Sequence, residues 1–552
     1  MECPTAPTFI SIRAGRFVRA WTCLWCVLAT LHVTQSIWTS GGRAYPGDLA
    51  DGRFNQLVFE HGYQALRGVR PWASPAQFYP VSGTLAYSDT HAGTLALYAA
   101  ARWLSVSREE AWQIWFVVVA ALNAWAACRL LRALGVHPWL RGPLVFASAG
   151  SATLAWVACT HVQMLPMFPA LLAGEQILRW REDRLAWRSL TILGWLSWQF
   201  AASLYGAFFS VVVMGLIAVA FAAVGRGVTK QETKRSATGS AVDWLRGGFV
   251  FLVGGGLAAA TLAIYVPAIR AGYARPVWQI LVEAPRWSSW FRAPPIRAIP
   301  AFVPAIPGRV NLTEHCWFAG WIAWALLLAI VCTGWHRRHT ATGRWMLALT
   351  LVALATPAIF TKWTADGDGA WIWIARRVEA LRAFRASGRV AVPLQFVVIG
   401  AVALLLTQWL SAARRSAARI AVVALACALA LENVCVGQRA TLSATARART
   451  QAMVDAWKAA GDRPVLVYAP THTDETPPFP HLDAWSAALQ LHRVTVNGYS
   501  GGAPDSHMGF MQAPTPDNAR ATLEAVGLRE SDVSFVDQPI RFASPTDRRP
   551  AK

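Results

Sequence analysis

The stretch that decides the fold runs from Arg13 to Arg53: RAGRFVRAWTCLWCVLATLHVTQSIWTSGGRAYPGDLADGR. Three arginines, Arg13, Arg16 and Arg19, lead into an apolar run from Phe17 to Trp38. At about 1.5 Å per helical residue, such a run crosses a hydrocarbon core of about 30 Å. A secretory signal would have a shorter apolar core followed by a small-residue cleavage pattern. Neither feature is present, so the run reads as an uncleaved anchor with its N-terminus in the cytoplasm.

Outward from this stretch, the same pattern repeats. Of 552 residues, 55% are hydrophobic and only 15% charged, where a soluble chain carries about a quarter charged. Apolar spans are expected at 17–38, 110–131, 142–160, 162–178, 187–204, 206–224, 248–267, 316–333, 346–361, 390–410 and 420–437. The loops 129–141, 179–188, 225–247, 334–345 and 411–419 carry 3, 4, 5, 3 and 3 basic residues. These fall on the side of the N-terminal arginines only if the short apolar piece 91–104 dips in or lies at the interface without crossing. The sequence therefore predicts an α-helical polytopic membrane protein of about eleven crossings plus one re-entrant or interfacial helix. Residues 1–437 form the membrane part, with outer loops 39–90, 268–315 and 362–389. Residues 438–552 alternate helix-like and strand-like pieces and read as a small soluble α/β domain outside the cytoplasm.

The net charge of +21 belongs to the membrane part, because the tail from Gln438 carries 12 basic and 12 acidic residues. Basic residues flanking spans orient helices, so nucleic acid is not the partner to expect. Of the nine cysteines, most lie inside spans, which excludes a disulfide framework; Cys23 and Cys26 read as small apolar residues of the first span. No Walker motif, G-x-G-x-x-G, H-E-x-x-H or G-x-S-x-G is found.

The candidate chemistry gathers on the predicted outer side. In GDLADGR, Asp48 and Asp51 are three apart at the membrane edge and, on a helical turn, would share a face. A carboxylate there can deprotonate an acceptor hydroxyl or, with its neighbour, hold a divalent cation; equally, both can cap a helix beginning near Leu49. In YSDTHAG, Asp89 and His91 offer an acid–base or metal-ligand pair, while Ser88, Asp89 or Thr90 would cap the following helix. His161 falls at an outer turn between two spans and suits an interfacial hydrogen bond. In LRAFRASGR, Arg382, Arg385 and Arg389 would line one helix face; the planar guanidinium matches phosphate oxygens, and snorkelling beside headgroups is the plainer use. The loop 268–315 interleaves six arginines with Trp278, Trp287, Trp290 and Phe291, as expected of a headgroup-level segment.

These pieces resemble the GT-C superfamily of multi-spanning glycosyltransferases. The resemblance rests on the acidic motif directly after the first span (Asp48, Asp51), the large first outer loop and the outer C-terminal domain. Closer likeness, to a bacterial subgroup, lies in Phe78-Tyr79-Pro80 with Gly83 to Ala86, in His161 with Pro166 and Pro169, in Leu381 to Arg389, and in Asn497 to Gly501. The two acidic residues are separated by Leu49-Ala50, not adjacent as in several members. The resemblance implies a polyprenyl-phosphate sugar donor, its phosphate held by Arg382, Arg385 and Arg389. One first-loop aspartate, with Asp89 and His91 beside it, would act on the hydroxyl of a glycan, lipid or protein acceptor at the outer face of the inner membrane. His161, Arg53 and Tyr79 are supporting candidates. Any metal would be a divalent cation on Asp48 and Asp51. The rival reading is a non-enzymatic flippase or envelope-assembly scaffold, which would hold the same phosphate without needing the aspartates.

Overall fold

The computed structural model describes residues 9–183, 185–224, 240–270, 275–298, 314–334, 339–364, 367, 369–471 and 478–540. Arg309 of the loop 268–315, and Asp366 and Asp368 of the loop 362–389, lie outside these residues. The chain is a helical membrane protein: among the described residues six helices, Arg108–Ala133, Pro138–Thr160, Leu204–Val224, Ala241–Arg270, Ala341–Phe360 and Ser387–Ala412, are long and apolar enough to cross a bilayer. Further helices stand at Phe9–Val33, Phe168–Asp183, Ala186–Ala202, Trp321–Gly334 and Ser416–Glu432. The short piece at 91–104 is the twelve-residue helix Ala92–Trp103.

Local sequence sets the breaks. Ser107 and Glu110 form a reciprocal capping box that starts Arg108–Ala133. Pro138–Thr160 is interrupted at Gly150, and Ser151 restarts it by accepting the Leu154 N–H. Helices Ala186–Ala202 and Ala241–Arg270 meet backbone to backbone. A Cβ on Gly254 would fall 2.1 Å from the Gly194 carbonyl oxygen, so no larger residue fits there. Polar residues inside the bundle serve its backbone. Asn123 donates to Leu165 O at 2.7 Å and accepts from Met167 N at 3.0 Å; Gln199 donates to Pro166 O at 2.8 Å and accepts from Ala170 N at 3.2 Å. Together they satisfy the non-helical turn before Phe168–Asp183.

The C-terminal segment is fastened to the first loop. Strand Ala44–Pro46 pairs antiparallel with Ala440–Leu442. Val465–Tyr468 is the centre of a parallel three-stranded sheet flanked by Val494–Thr495 and Ser534–Val536. Helices Ser443–Ala459 and Phe479–Gln490 carry Trp457 and Trp485 into one apolar core with Phe54, Leu57 and Val58 of the first-loop helix Asp51–Leu66. Inside that junction Arg53 and Arg449 both pair with Asp483, whose side chain is fully buried.

Candidate functional site

A cavity of about 560 Å³ opens where the first loop, the loops 268–315 and 362–389 and the C-terminal segment meet. Asp51, Asp89, Arg275, Arg385, Arg389 and Tyr499 all line it. Of the ten candidates from sequence, the structure brings four to this cavity: Asp51, Asp89, Arg385 and Arg389.

The two first-loop aspartates separate in role. Helix Asp51–Leu66 starts at Asp51, not near Leu49. Asp48 precedes it, and its Oδ1 accepts from Ala50 N at 3.0 Å and Gly52 N at 3.2 Å, the cap role. Asp51, in the first turn, faces the cavity and accepts from the Tyr499 hydroxyl at 3.1 Å. Burial pushes the Asp51 carboxyl above the ordinary aspartate range; the nearby Asp48 charge adds to this, and His161 and Arg389 oppose it. The Asp51 charge, with burial, likewise holds the Tyr499 hydroxyl well above its usual value, so it stays a donor.

Asp89 does not cap the helix that follows it. Its Oδ1 accepts from Leu204 N at 2.7 Å, capping the remote helix Leu204–Val224 and joining two walls of the cavity. Burial raises its carboxyl to about 6, against the opposing Leu204 N–H, Arg389 and Arg275. A raised carboxyl means that the unfolded chain ionises first. Stability therefore falls as pH climbs from the unfolded value of 3.8 to about 6, and the deficit persists above. Asp89→Asn, which keeps the acceptor, is expected to remove this component, a gain on the order of 3 kcal/mol at neutral pH. Thermal unfolding of both proteins in detergent between pH 4 and 8 checks it: the curves should converge at the acid end.

His91 stands apart from the cavity. It sits at positive φ, 53°, its Nε2 meets Asn55 Oδ1 at 2.7 Å, and its ring stacks on Phe59 at 4.7 Å. Burial lowers it to about 3, so it is a neutral packing residue. Arg53 belongs to the Asp483 junction. Tyr79 packs on the C-terminal sheet, with its carbonyl accepting from His507 Nε2 at 3.2 Å.

The arginine stretch is not one helix face. It folds as two 3₁₀ turns, Glu379–Phe384 and Ser387–Val390, with Arg385 between them, and Gly388 packs against the Trp317 indole. Arg382 turns back to the carbonyls of Ala375 and Arg376 at 3.4 and 3.3 Å. Arg389 is engaged by Glu314, with Nε at 3.1 Å and Nη2 at 2.5 Å from Oε1, and lies over the Tyr205 ring at 4.7 Å. His161 completes this cluster: Nε2 is 2.9 Å from Glu314 Oε1, and Nδ1 is 3.3 Å from Arg389 Nη2. Burial alone would raise Glu314, but Arg389 and His161 hold it well below the usual carboxylate range.

Arg385 keeps its charge for the cavity. Its Nη1 donates to the neutral Gln279 Oε1 at 3.2 Å, and among the described residues no carboxylate lies within ion-pair distance. Arg275 reaches the same Gln279 at 3.5 Å and donates to Gly501 O at 2.6 Å. Arg275, Gln279, Glu314 and Tyr499 were not singled out by sequence reasoning. Arg275 was one of six arginines in its loop, and Tyr499 one letter of the N-G-Y-S-G motif; only the fold selects them. Among the described residues no group of three or more His, Cys, Asp or Glu is arranged to hold a metal ion. No protein-family profile matches the chain, and no curated protein is similar to it.

Proposed function

We propose that the protein is a GT-C-like glycosyltransferase that moves a sugar from a polyprenyl phosphate to an envelope acceptor at the outer face of the bacterial inner membrane. In this reading the chain crosses eleven times, with its N-terminus inside and its C-terminal α/β segment outside. One observation carries it: a basic-competent carboxylate, Asp51, and an uncompensated guanidinium, Arg385, line the same cavity. Asp51 takes the proton of the acceptor hydroxyl as its oxygen bonds to the anomeric carbon. The bond from that carbon to the phosphate oxygen breaks, its electron pair leaves with the phosphate, and configuration inverts. Arg385 and Arg275 receive the growing charge on the leaving phosphate. A separate apolar cavity of about 280 Å³, lined by Ser210, Val213, Ile217, Pro393, Phe396 and Val397, lies along the helices that bear Tyr205 and follow Arg389. It suits the carrier's chain.

The carrier-flipping alternative calls for polar side chains along a path through the membrane. Asn123 and Gln199 are instead consumed by backbone groups of one turn. The phosphate-holding role has a direct test. Arg385→Lys is expected to weaken binding of a polyprenyl phosphate roughly ten-fold, since a point ammonium does not replace the planar fork. Native mass spectrometry of the detergent-solubilised chain, titrated with the lipid, measures it. Equal binding by wild type and variant argues against phosphate holding by Arg385.

A further inference from the structure

The turn Asn497–Gly501 is fixed from three directions. Asn497 accepts from Tyr468 N at 2.7 Å and donates to Tyr468 O at 2.8 Å, so its amide extends the C-terminal sheet. Its backbone carbonyl accepts from Phe78 N at 3.1 Å, and Tyr499 N donates to Gln77 Oε1 at 3.0 Å. Gly498 lies against the Phe78 ring, where a Cβ would fall 2.3 Å from ring carbons. Tyr499 holds Asp51, and the Gly501 carbonyl holds Arg275. The turn thus links the carboxylate wall of the cavity to its cationic wall.

One side chain of the turn is left over. Ser500 is 7% exposed and lines the cavity, and its buried Oγ has no hydrogen-bond partner among the described residues. Gln163, from the turn Val162–Met164 beside the first-loop helix, also lines the cavity, and its buried Oε1 is likewise without a partner. Buried polar atoms left without partners cost free energy, so they mark places where a ligand atom completes the bonding. The chemistry of the two is specific. The amide oxygen of Gln163 accepts from a hydroxyl donor, and Ser500 Oγ both donates and accepts, so the pair matches hydroxyl groups.

We infer that Ser500 and Gln163 bind hydroxyl groups of a sugar whose phosphate sits at Arg275 and Arg385, so that the cavity selects a glycosylated carrier over the bare lipid phosphate. This rests on the transferase reading above and sharpens it: the ligand carries anion and polyol on one molecule, and discharge of the sugar weakens its hold. The loaded donor is retained and the spent carrier released.

The test uses the full chain in detergent and two probes, a polyprenyl phosphate and the same lipid phosphate bearing one hexose. Wild type is expected to bind the hexose-bearing lipid about ten-fold more tightly. Ser500→Ala and Gln163→Leu should each lower that affinity roughly three- to ten-fold while leaving the bare phosphate unchanged, which also reports an intact cavity. Equal affinity of wild type for the two probes overturns the assignment without recourse to any variant. So does a variant that weakens both probes alike or neither. If wild type binds neither probe, the transferase reading itself fails, and the hydroxyl assignment with it.

Discussion

Asp51→Asn is expected to lower sugar transfer by about a hundred- to ten-thousand-fold, the usual cost of losing a general base. Asparagine keeps an acceptor for the Tyr499 hydroxyl, 3.1 Å away in the wild type, so the cavity wall stays in place while the proton acceptor is lost. Asp48→Asn supplies the contrast. Asp48 serves Ala50 N and Gly52 N, and asparagine caps about as well as aspartate, so this variant should retain most activity. The measurement is the initial rate of label transfer from a polyprenyl-phosphate sugar to membrane acceptors by reconstituted protein. A silent Asp51→Asn beside a dead Asp48→Asn would reverse the assignment, and two silent variants would favour a carrier-handling protein.

Asp483→Ala is expected to destabilise the protein by about 3–5 kcal/mol, because Arg53 would keep its fully buried position without the carboxylate it pairs with, and Arg449 would lose the same partner. Arg53 and Asp483 are both fully buried, so water cannot replace the lost partner. The junction they form carries helix Asp51–Leu66 against Phe479–Gln490, and through it Asp51 against Tyr499. Loss of transfer should therefore accompany loss of stability. Asp462→Asn, which removes the charge of an exposed pair with Arg493 and keeps a residue suited to the left-handed backbone there, should leave the melting temperature unchanged. Thermal unfolding of the three proteins in one detergent, read by tryptophan fluorescence, checks both statements. An unaltered Asp483→Ala protein would mean that the C-terminal segment is not held through this junction.

Much of the fold was legible because apolar length is a strong signal. The helix breaks at 133–138, 183–186, 202–204 and 412–416 fall in or beside loops recognised from basic residues and turns. In the tail, helix Ser443–Ala459, strand Val465–Tyr468, helix Phe479–Gln490, strand Val494–Thr495 and helix Pro516–Ala525 alternate in chain order. The site was harder, because its parts are distant in sequence. Asp48 and Asp51 are alike locally, and what separates them is Tyr499, 448 positions away from Asp51. Arg389 looked as free as Arg385 until Glu314 arrived from another loop, and Asp89 caps a helix 115 positions on. His91 looked catalytic by proximity to Asp89, yet its left-handed backbone turns the ring into the core. The helical spacing of Arg382, Arg385 and Arg389 does not put them on one face, because the chain there forms two short 3₁₀ turns in place of an α-helix.

In the proposed transferase, one cavity holds a polyprenyl-phosphate sugar between Asp51 and the Arg275–Arg385 pair. The most direct measurement is a cryo-electron-microscopy map of the full chain in lipid nanodiscs with such a lipid bound. Phosphate density is expected in contact with the guanidinium groups of Arg275 and Arg385, with the anomeric carbon turned toward Asp51. Phosphate density elsewhere on the protein, with this cavity filled by ordinary lipid, would contradict it.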